Sequence, residues 1–291
     1  MALGNLAQRF LVAVIAVPIL LLLLHYHRPE PTWAVIFAAS ILAMREFFAM
    51  TLPVEDRGAA LVIGGLASAV MYWTSPVALA IYHDDKLIAL GALAGTPVVM
   101  LLAVVVPGLY YLFRFRDIPS VAGRITATVT GIVYAGFLTT FLALLKASDT
   151  TYGGDRVLAV LVIAWVADTG GYFAGRFLGK AKLYEAVSPK KTWAGAWGGL
   201  AGSLVGIAVL KLVSWDEISW VDVALLAIPG GILGQMGDLT ESLIKRATGV
   251  KDSGALLPGH GGILDRIDAV LFIAPYVYAY LLIRPAVVGG F

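Results

Sequence analysis

Long apolar runs separated by short polar segments dominate the chain. A helix that spans a membrane needs about 20 mostly apolar residues, and nine stretches of the sequence approach that requirement. They lie near residues 7–26, 32–51, 58–75, 87–109, 125–146, 157–177, 193–213, 221–240 and 266–284. The pattern predicts an all-α polytopic membrane protein with about nine transmembrane helices. Because we find no linker or internal repeat, we expect a single membrane domain over residues 1–291.

Small residues recur at helical spacing in two of the predicted spans. The two faces consist of Gly195, Gly199, Gly202 and Gly206, and of Gly230 and Gly234. In membranes such faces let helices approach closely. We therefore expect these glycines to pack helices together, and they also permit a homodimer.

The composition agrees with a membrane protein. The chain is 59% hydrophobic and 14% charged, with a mean hydropathy of +0.86, whereas ordinary domains are about half apolar and about a quarter charged. The absence of cysteine excludes disulfides, thiolate metal sites and cysteine nucleophiles. A net charge of +2 is too small to indicate nucleic acid as a partner.

The lysines and arginines are distributed unevenly between the two sides of the predicted membrane. Nine spans place the termini on opposite sides, and the alternation then puts 15 of these residues on one side and 6 on the other. Cytoplasmic loops carry the excess of Lys and Arg. We therefore expect a cytoplasmic N-terminus and cytoplasmic loops at residues 176–192 and 245–266.

Residues 242–268 form the one long polar stretch of the chain. It contains cations, glycines and carboxylates, which are Lys245, Arg246, Lys251, Gly259, Gly261, Gly262, Asp252, Asp265 and Asp268. Cations and glycine amides bind phosphate, and carboxylates are ligands that Mg²⁺ prefers. The alternative is a solvated loop whose charges only set the topology.

Four carboxylates lie at membrane depth, where a charge costs about 2.5–3.5 kcal/mol on insertion scales. They are Asp168, Asp238, Glu241 and Asp268. Asp238 and Glu241 share a helical face with Lys245, and Asp265 shares one with Asp268. Two helices that each present an acid pair would suit one or two hard cations bridging a phosphate. The alternative is a set of structural ion pairs, Asp238 with Lys245 or Arg246 and Asp265 with Arg266.

Three further polar elements of the sequence each allow two interpretations. Asp168 in DTGGY either binds a ligand or hydrogen-bonds within a helix break. In SPKKTWAG, residues 188–195, we expect Lys190 and Lys191 in the first turn of a helix, binding an anion or only setting topology. His260, between two glycines, either serves phosphate and proton transfer or is a structural turn residue.

Taken together, the polar positions resemble a known signature. The positions are Ser242, Lys245, Arg246, Lys251, Asp252, Pro258, His260, Gly261, Gly262, Asp265, Arg266 and Asp268. This pattern, with SPKKT, DTGGY and GDLTES upstream, resembles the phosphatidate cytidylyltransferases, or CDP-diacylglycerol synthases. One departure is Ala194, where that family often has glutamate. The resemblance covers about the last 125 residues.

The resemblance implies an enzyme of phospholipid biosynthesis that converts CTP and phosphatidate to CDP-diacylglycerol and pyrophosphate. It implies Mg²⁺ in a two-cation site, whose second ion can be monovalent, in an integral protein of the bacterial inner membrane with its site facing the cytoplasm. Residues 1–150 would then be a scaffold, and residues 157–284 would carry the site.

The resemblance also suggests roles for individual residues. The metal ligands would be Asp238 and Asp265, supported by Glu241 and Asp268. Lys245 and His260 join Asp238, Asp265 and Asp268 as expected catalytic residues. The expected substrate-binding residues are Ser188, Lys190, Lys191, Thr192, Arg246, Lys251, Asp252, Gly261, Gly262, Arg266 and Asp168.

Two other classes of membrane protein have different sequence features. A CDP-alcohol phosphotransferase should show a D-G-x-x-A-R run, and the sequence has none. A transporter would use charges in the middle of the bilayer, whereas these charges gather toward the ends of the last spans.

Overall fold

The computed structural model describes residues 5–74, 98–256 and 261–288. In the first half of the chain the helices are α1 (Asn5–His25), α2 (Glu30–Thr51), α3 (Val54–Thr74), α4 (Val106–Arg114), α5 (Ile118–Gly131) and α6 (Leu138–Ala147). In the second half they are α7 (Gly153–Leu178), α8 (Trp193–Val213), α9 (Trp220–Ala247) and α10 (Leu264–Val288). One π-helical turn, Leu101–Val105, precedes α4, and another, Ile132–Phe137, joins α5 to α6.

Six helices in the described part of the chain are long and apolar enough to cross a membrane. They are Glu30–Thr51, Ile118–Ala147, Gly153–Leu178, Trp193–Val213, Trp220–Ala247 and Leu264–Arg284. This confirms an all-α polytopic membrane protein. The count of nine and the orientation stay predictions, and residues 87–97 of one predicted span lie outside the described residues.

The chain forms two compact units, each assembled from distant segments. The first unit consists of Met1–Ala16, Arg28–Ser148 and Asp252–Asp265. The second consists of Val17–His27, Asp149–Lys251 and Arg266–Phe291. The single membrane domain stays a prediction.

A buried ion pair and tight aromatic packing organise the first unit. The Arg124 guanidinium lies 3.2 Å from Asp56 Oδ2, and both side chains are almost fully buried. A Cβ added to Gly131 would overlap the ring of Phe48, so α5 and α2 meet there without room for a side chain. Asp117 caps α5 by accepting a hydrogen bond from Ser120 N at 3.0 Å.

Glycines let α7 and α8 pack closely in the second unit. A Cβ at Gly171 would lie 3.2 Å from Gly195 O, and one at Gly199 would lie 3.2 Å from Ala167 O. The expected packing role of the 195–206 face is therefore confirmed. Because α7 runs without interruption from Gly153 to Leu178, the helix break considered for DTGGY is absent.

The segment SPKKT is a strand, so the prediction that Lys190 and Lys191 lie in a first helical turn is wrong. Strand β2 (Ser188–Thr192) pairs antiparallel with β1 (Lys182–Tyr184). A residue before proline avoids helical backbone angles, which favours the extended form at Ser188. Helix α8 begins only after the lysines, because Thr192 Oγ1 accepts a hydrogen bond from Gly195 N at 3.1 Å.

The other end of the second unit is held by polar contacts between helix ends. Asp155, in the first turn of α7, accepts a 2.5 Å hydrogen bond from Ser214 Oγ, just after α8. At the start of α9, Asp222 Oδ1 lies 3.2 Å from Nε of Arg284 in α10. Neighbouring helices of this unit therefore run in opposite directions.

Candidate active site

A cavity of about 390 Å³ opens in the second unit between α7, the β-hairpin, α8 and α9. Its lining includes five of the residues expected from the sequence, namely Asp168, Lys190, Lys191, Thr192 and Asp238. Glycines of α7 and α8 form part of its lining, at the place where the two helices pack closely.

Lys191 and Asp238 form an ion pair at the wall of this cavity. The distance from Lys191 Nζ to Asp238 Oδ2 is 2.5 Å, and the two side chains are 25% and 31% exposed. Ser242 Oγ lies 3.4 Å from the other carboxylate oxygen of Asp238. The hairpin thus delivers a lysine to an acid of α9, a pairing that the sequence analysis did not consider.

The charge of Asp238 interacts with those of two other carboxylates, Asp168 and Asp268. The charge of Asp268 interacts with those of Asp238, Glu241 and Asp168, and that of Asp168 interacts also with Lys191 and Arg266. Helices α9 and α10 are closely packed here, since a Cβ on Gly237 would lie 2.6 Å from Asp268 O. Acids of α7, α9 and α10 therefore interact electrostatically within the second unit, and the convergence of two acid pairs stays a prediction.

Glu241 and Lys245 form a buried pair one helical turn apart. Lys245 Nζ lies 2.5 Å from Glu241 Oε2, and the Glu241 side chain is fully buried. A buried charge is strongly stabilised by such a partner, and removing one member leaves the other uncompensated. The contact therefore fits a structural role for these two residues as well as a supporting role beside Asp238.

The donor set of the second unit fits a magnesium ion held partly by its substrate. In the described ranges no three Asp, Glu or His side chains converge in a metal-binding group. Mg²⁺, however, is usually held by one or two carboxylates together with substrate phosphates and water. Asp238, with Asp268 and Asp168 near it, supplies carboxylates of the required kind.

Asp265 has a different environment, in the first unit. Its carboxylate accepts hydrogen bonds from Ser253 N at 3.0 Å and from Gly262 N at 2.9 Å. Gly261 has a φ of +78°, which favours glycine. Asp265 therefore shapes the loop that precedes α10, and its pairing with Asp238 at a metal stays a prediction.

The remaining expected residues lie on the loop and helix ends. Arg246, Lys251, Asp252 and Arg266 are exposed, and Ser188 is half-buried in β2. His260 lies outside the described residues. The phosphate-binding roles of these side chains stay predictions.

Three residues with contacts at the cavity or the loop that precedes α10 were not predicted from the sequence. Arg176 and Gln235 line the cavity, and Gln235 Nε2 donates to Ala196 O at 3.1 Å. Glu46, in α2, accepts hydrogen bonds from the loop that precedes α10, here called the signature loop (residues 252–256 and 261–263), and from Leu264 at the start of α10. Gln235 precedes Asp238 by three residues and so shares its helical face, and Glu46 is an acid within a predicted span. Both residues could therefore have been identified from the sequence.

Comparison with known proteins agrees with these features. Three similar proteins are named phosphatidate cytidylyltransferase. That of Bacillus subtilis (strain 168) is 44% identical over 130 residues, which are 45% of this chain and 48% of that protein. That of Brucella suis biovar 1 is 43% identical over 151 residues, 52% of this chain and 55% of that protein. That of Synechocystis sp. is 35% identical over 201 residues, 60% of this chain and 67% of that protein.

The chain spans about half the length of the first two of these relatives. The match to the family model is longer. Residues 7–284 match the model whose description is "Cytidylyltransferase family". This confirms the resemblance seen in the signature. The chain belongs to the cytidylyltransferase family.

Proposed function

We propose that the protein is a phosphatidate cytidylyltransferase, which converts CTP and phosphatidate to CDP-diacylglycerol and pyrophosphate. The observation that carries the proposal is the Lys191–Asp238 pair on a cavity where acidic and basic side chains meet. Relatives that are 43–44% identical over about half of the chain carry that name. The product would serve phospholipid biosynthesis.

The reaction requires positioning and charge neutralisation more than proton transfer. A phosphate oxygen of phosphatidate attacks the α-phosphorus of CTP and forms the new P–O bond. The bond from the α-phosphorus to the oxygen bridging the β-phosphorus breaks, and pyrophosphate leaves with the electron pair. Because the attacking phosphate is already anionic, no strong general base is needed.

Lysines of the hairpin are suited to hold the phosphates. Lys190 and Lys191 line the cavity beside the N-terminus of α8, where the helix dipole adds positive potential. Arg176 on α7 brings a third cation to the same wall. The signature residues Arg246, Lys251, Gly261, Gly262 and Arg266 would bind further phosphate oxygens, and Asp252 would contact a hydrogen-bond donor of the substrate.

Carboxylates would hold Mg²⁺ beside these cations. We assign Asp238 and Asp265 as ligands, with Asp268 and Glu241 in support, and a second cation that can be monovalent. When bound, the ions would neutralise charge that develops on the pyrophosphate oxygens. Lys191 would then exchange its contact with Asp238 for one with a substrate phosphate.

Exposed aromatic residues near the cavity support entry of the lipid from the bilayer. Phe173 and Phe177 stack with ring centroids 6.3 Å apart and are 52% and 72% exposed. Trp193 and Trp197 on α8 are 51% and 66% exposed. Tryptophan is enriched at membrane interfaces and exposed phenylalanines favour an apolar surrounding, so the acyl chains can stay in the membrane while the headgroup reaches Lys191.

The proposed topology has nine spans, a cytoplasmic N-terminus and a cytoplasmic active site in a bacterial inner membrane. The alternating helix directions within the second unit support it. The cavity lies at the end of that unit where Arg176, Lys190 and Lys191 are found, and the Asp155–Ser214 contact lies at the other end. The lysine and arginine excess assigns the cavity end to the cytoplasm.

Incubation of the purified protein with phosphatidate, Mg²⁺ and CTP tests this function. We expect a CDP-lipid and pyrophosphate in equal amounts, and loss of both when EDTA removes the divalent ion. Asp238→Asn serves as the matched inactive variant. A wild-type protein that forms no CDP-lipid in phosphatidate-containing vesicles would refute the proposal.

A further inference from the structure

Glu46 is a carboxylate buried within an apolar membrane helix. It lies in the segment MREFF of α2 and is 8% exposed. Its neighbours Phe47 and Phe48 are also buried. Burying a carboxylate at this depth is costly unless its oxygens accept hydrogen bonds. The donors of those hydrogen bonds therefore indicate the role of Glu46.

The partners of Glu46 all belong to the loop and helix start that carry the signature. Ile263 N donates to Oε1 at 3.0 Å, Leu264 N donates to Oε2 at 2.9 Å, and Ser253 Oγ donates to Oε2 at 3.0 Å. The first amides of a helix have no partner within the helix. Glu46 satisfies those at the start of α10 and places a negative charge at its N-terminus.

Ser253 extends this contact to Asp265. Its hydroxyl, which donates to Glu46, also accepts from Asp265 N at 3.3 Å. Its own amide donates to the Asp265 carboxylate at 3.0 Å. Glu46, Ser253 and Asp265 therefore form one hydrogen-bonded chain in the first unit, which sets the direction of the Asp265 side chain.

The space around this chain of contacts is filled. A Cβ added to Gly262 would overlap Ser253 Oγ and Glu46 Oε2, and one added to Gly254 would lie 2.7 Å from Glu46 Oε1. Such packing leaves Ser253, Gly254 and Gly262 little freedom to shift while Glu46 is in place.

We propose that Glu46 is a positioning residue for catalysis, which holds the signature loop and, through Ser253, the orientation of Asp265. The inference rests on the proposed function, because it assigns Glu46 to the reaction through Asp265. It also gives the N-terminal half of the chain a direct part in the site, beyond that of a scaffold.

Glu46→Gln is the sharpest substitution. The side chain keeps its size, but the amide group must then face either Ile263 N or Leu264 N, so that two donors oppose each other. Glu55→Gln is the matched control, because Glu55 lies in the same unit in a partly exposed pair with Arg116 at 3.2 Å. Ser253→Ala is a milder change that removes only the connecting hydroxyl.

The first readout is independent of activity. Lys251 and Lys180 are both exposed, so trypsin cleavage after each can be timed in the full-length protein in detergent. We expect Glu46→Gln and Ser253→Ala to speed cleavage after Lys251 while cleavage after Lys180 is unchanged, and Glu55→Gln to change neither. Equal cleavage after Lys251 in all variants would overturn the proposal even if the wild type has no cytidylyltransferase activity.

The second readout is kinetic. With an active wild type, we expect kcat to fall about tenfold or more in Glu46→Gln, with the KM for phosphatidate unchanged and Glu55→Gln at the wild-type rate. Because Glu46 and Ser253 act through one chain of contacts, the double variant should be no worse than Glu46→Gln alone. Additive losses, or a wild-type kcat in Glu46→Gln, would overturn the proposal. If Glu46→Gln does not fold, Ser253→Ala decides by the same two readouts.

Discussion

Lys191 Nζ lies 2.5 Å from Asp238 Oδ2, so a lysine of the hairpin and an acid of α9 meet at the wall of the cavity. Both side chains are partly exposed, so the pair adds little to stability. In the proposed function, the pair places a cation that would bind phosphate beside an acid that would bind Mg²⁺.

The first prediction concerns this pair. We expect Lys191→Gln and Asp238→Asn each to lower kcat/KM for CTP by about a hundredfold or more, because the first removes a cation that would bind substrate phosphate and the second a carboxylate that would hold Mg²⁺. In the double variant, the loss in kcat/KM, expressed as a free energy, should be much smaller than the sum of the two single losses. Steady-state formation of CDP-lipid is the measurement, with the exposed Lys180→Gln as control. Independent, additive losses would show that the two residues do not act together.

The second prediction separates Asp238 from Asp265. Asp265→Asn places an amide donor against Ser253 N or Gly262 N, and the lost charge-assisted hydrogen bonds should cost about 2 kcal/mol of stability. Asp238→Asn should change stability by less than about 1 kcal/mol, since Asp238 is partly exposed. Both should lose turnover. Thermal unfolding in detergent distinguishes them, and equal unfolding midpoints would contradict the structural role of Asp265.

Much of this arrangement follows from the sequence, and the reasons for the exceptions are physical. The six spans found in the described residues were predictable because each depends only on local apolar length, and the glycine faces because they repeat at helical spacing. The Lys191–Asp238 contact was not predictable from the sequence, since it depends on how the hairpin folds onto α9. The strand at Ser188–Thr192 is too short for periodicity to distinguish from a helix start.

Glu46 is a different case. It lies inside the predicted span 32–51, and the cost of burying an acid, which drew attention to Asp168 and Asp238, applies equally to it. Its partners are more than 200 residues away along the chain, so its role became visible only in the fold.

The third prediction tests the packing of α7 against α8. A Cβ at Gly198 would overlap Ala174 and lie 2.8 Å from Gly170 O, so Gly198→Ala should destabilise the protein by about 1–3 kcal/mol. Gly123→Ala is the matched control, because nothing lies within 4 Å of its added Cβ and alanine favours a helix. The thermal midpoint should fall in the first variant and stay level or rise in the second. Equal midpoints would argue against close packing at Gly198.

The fourth prediction concerns orientation. The chain has no cysteine, so single cysteines at the exposed positions Glu185 and Thr150 report their own sides of the membrane. In intact cells a membrane-impermeant maleimide should label Thr150→Cys and spare Glu185→Cys, and both should react after lysis. The reverse pattern would place the cavity outside and contradict the proposed topology.

The most direct measurement follows the phosphates of CTP. With purified protein in phosphatidate-containing nanodiscs and Mg²⁺, label at the α-phosphate should appear in the lipid and label at the γ-phosphate in pyrophosphate, with neither product from Asp238→Asn. Transfer of the γ-label to the lipid, or no labelled lipid from the wild type, would contradict attack by phosphatidate on the α-phosphorus.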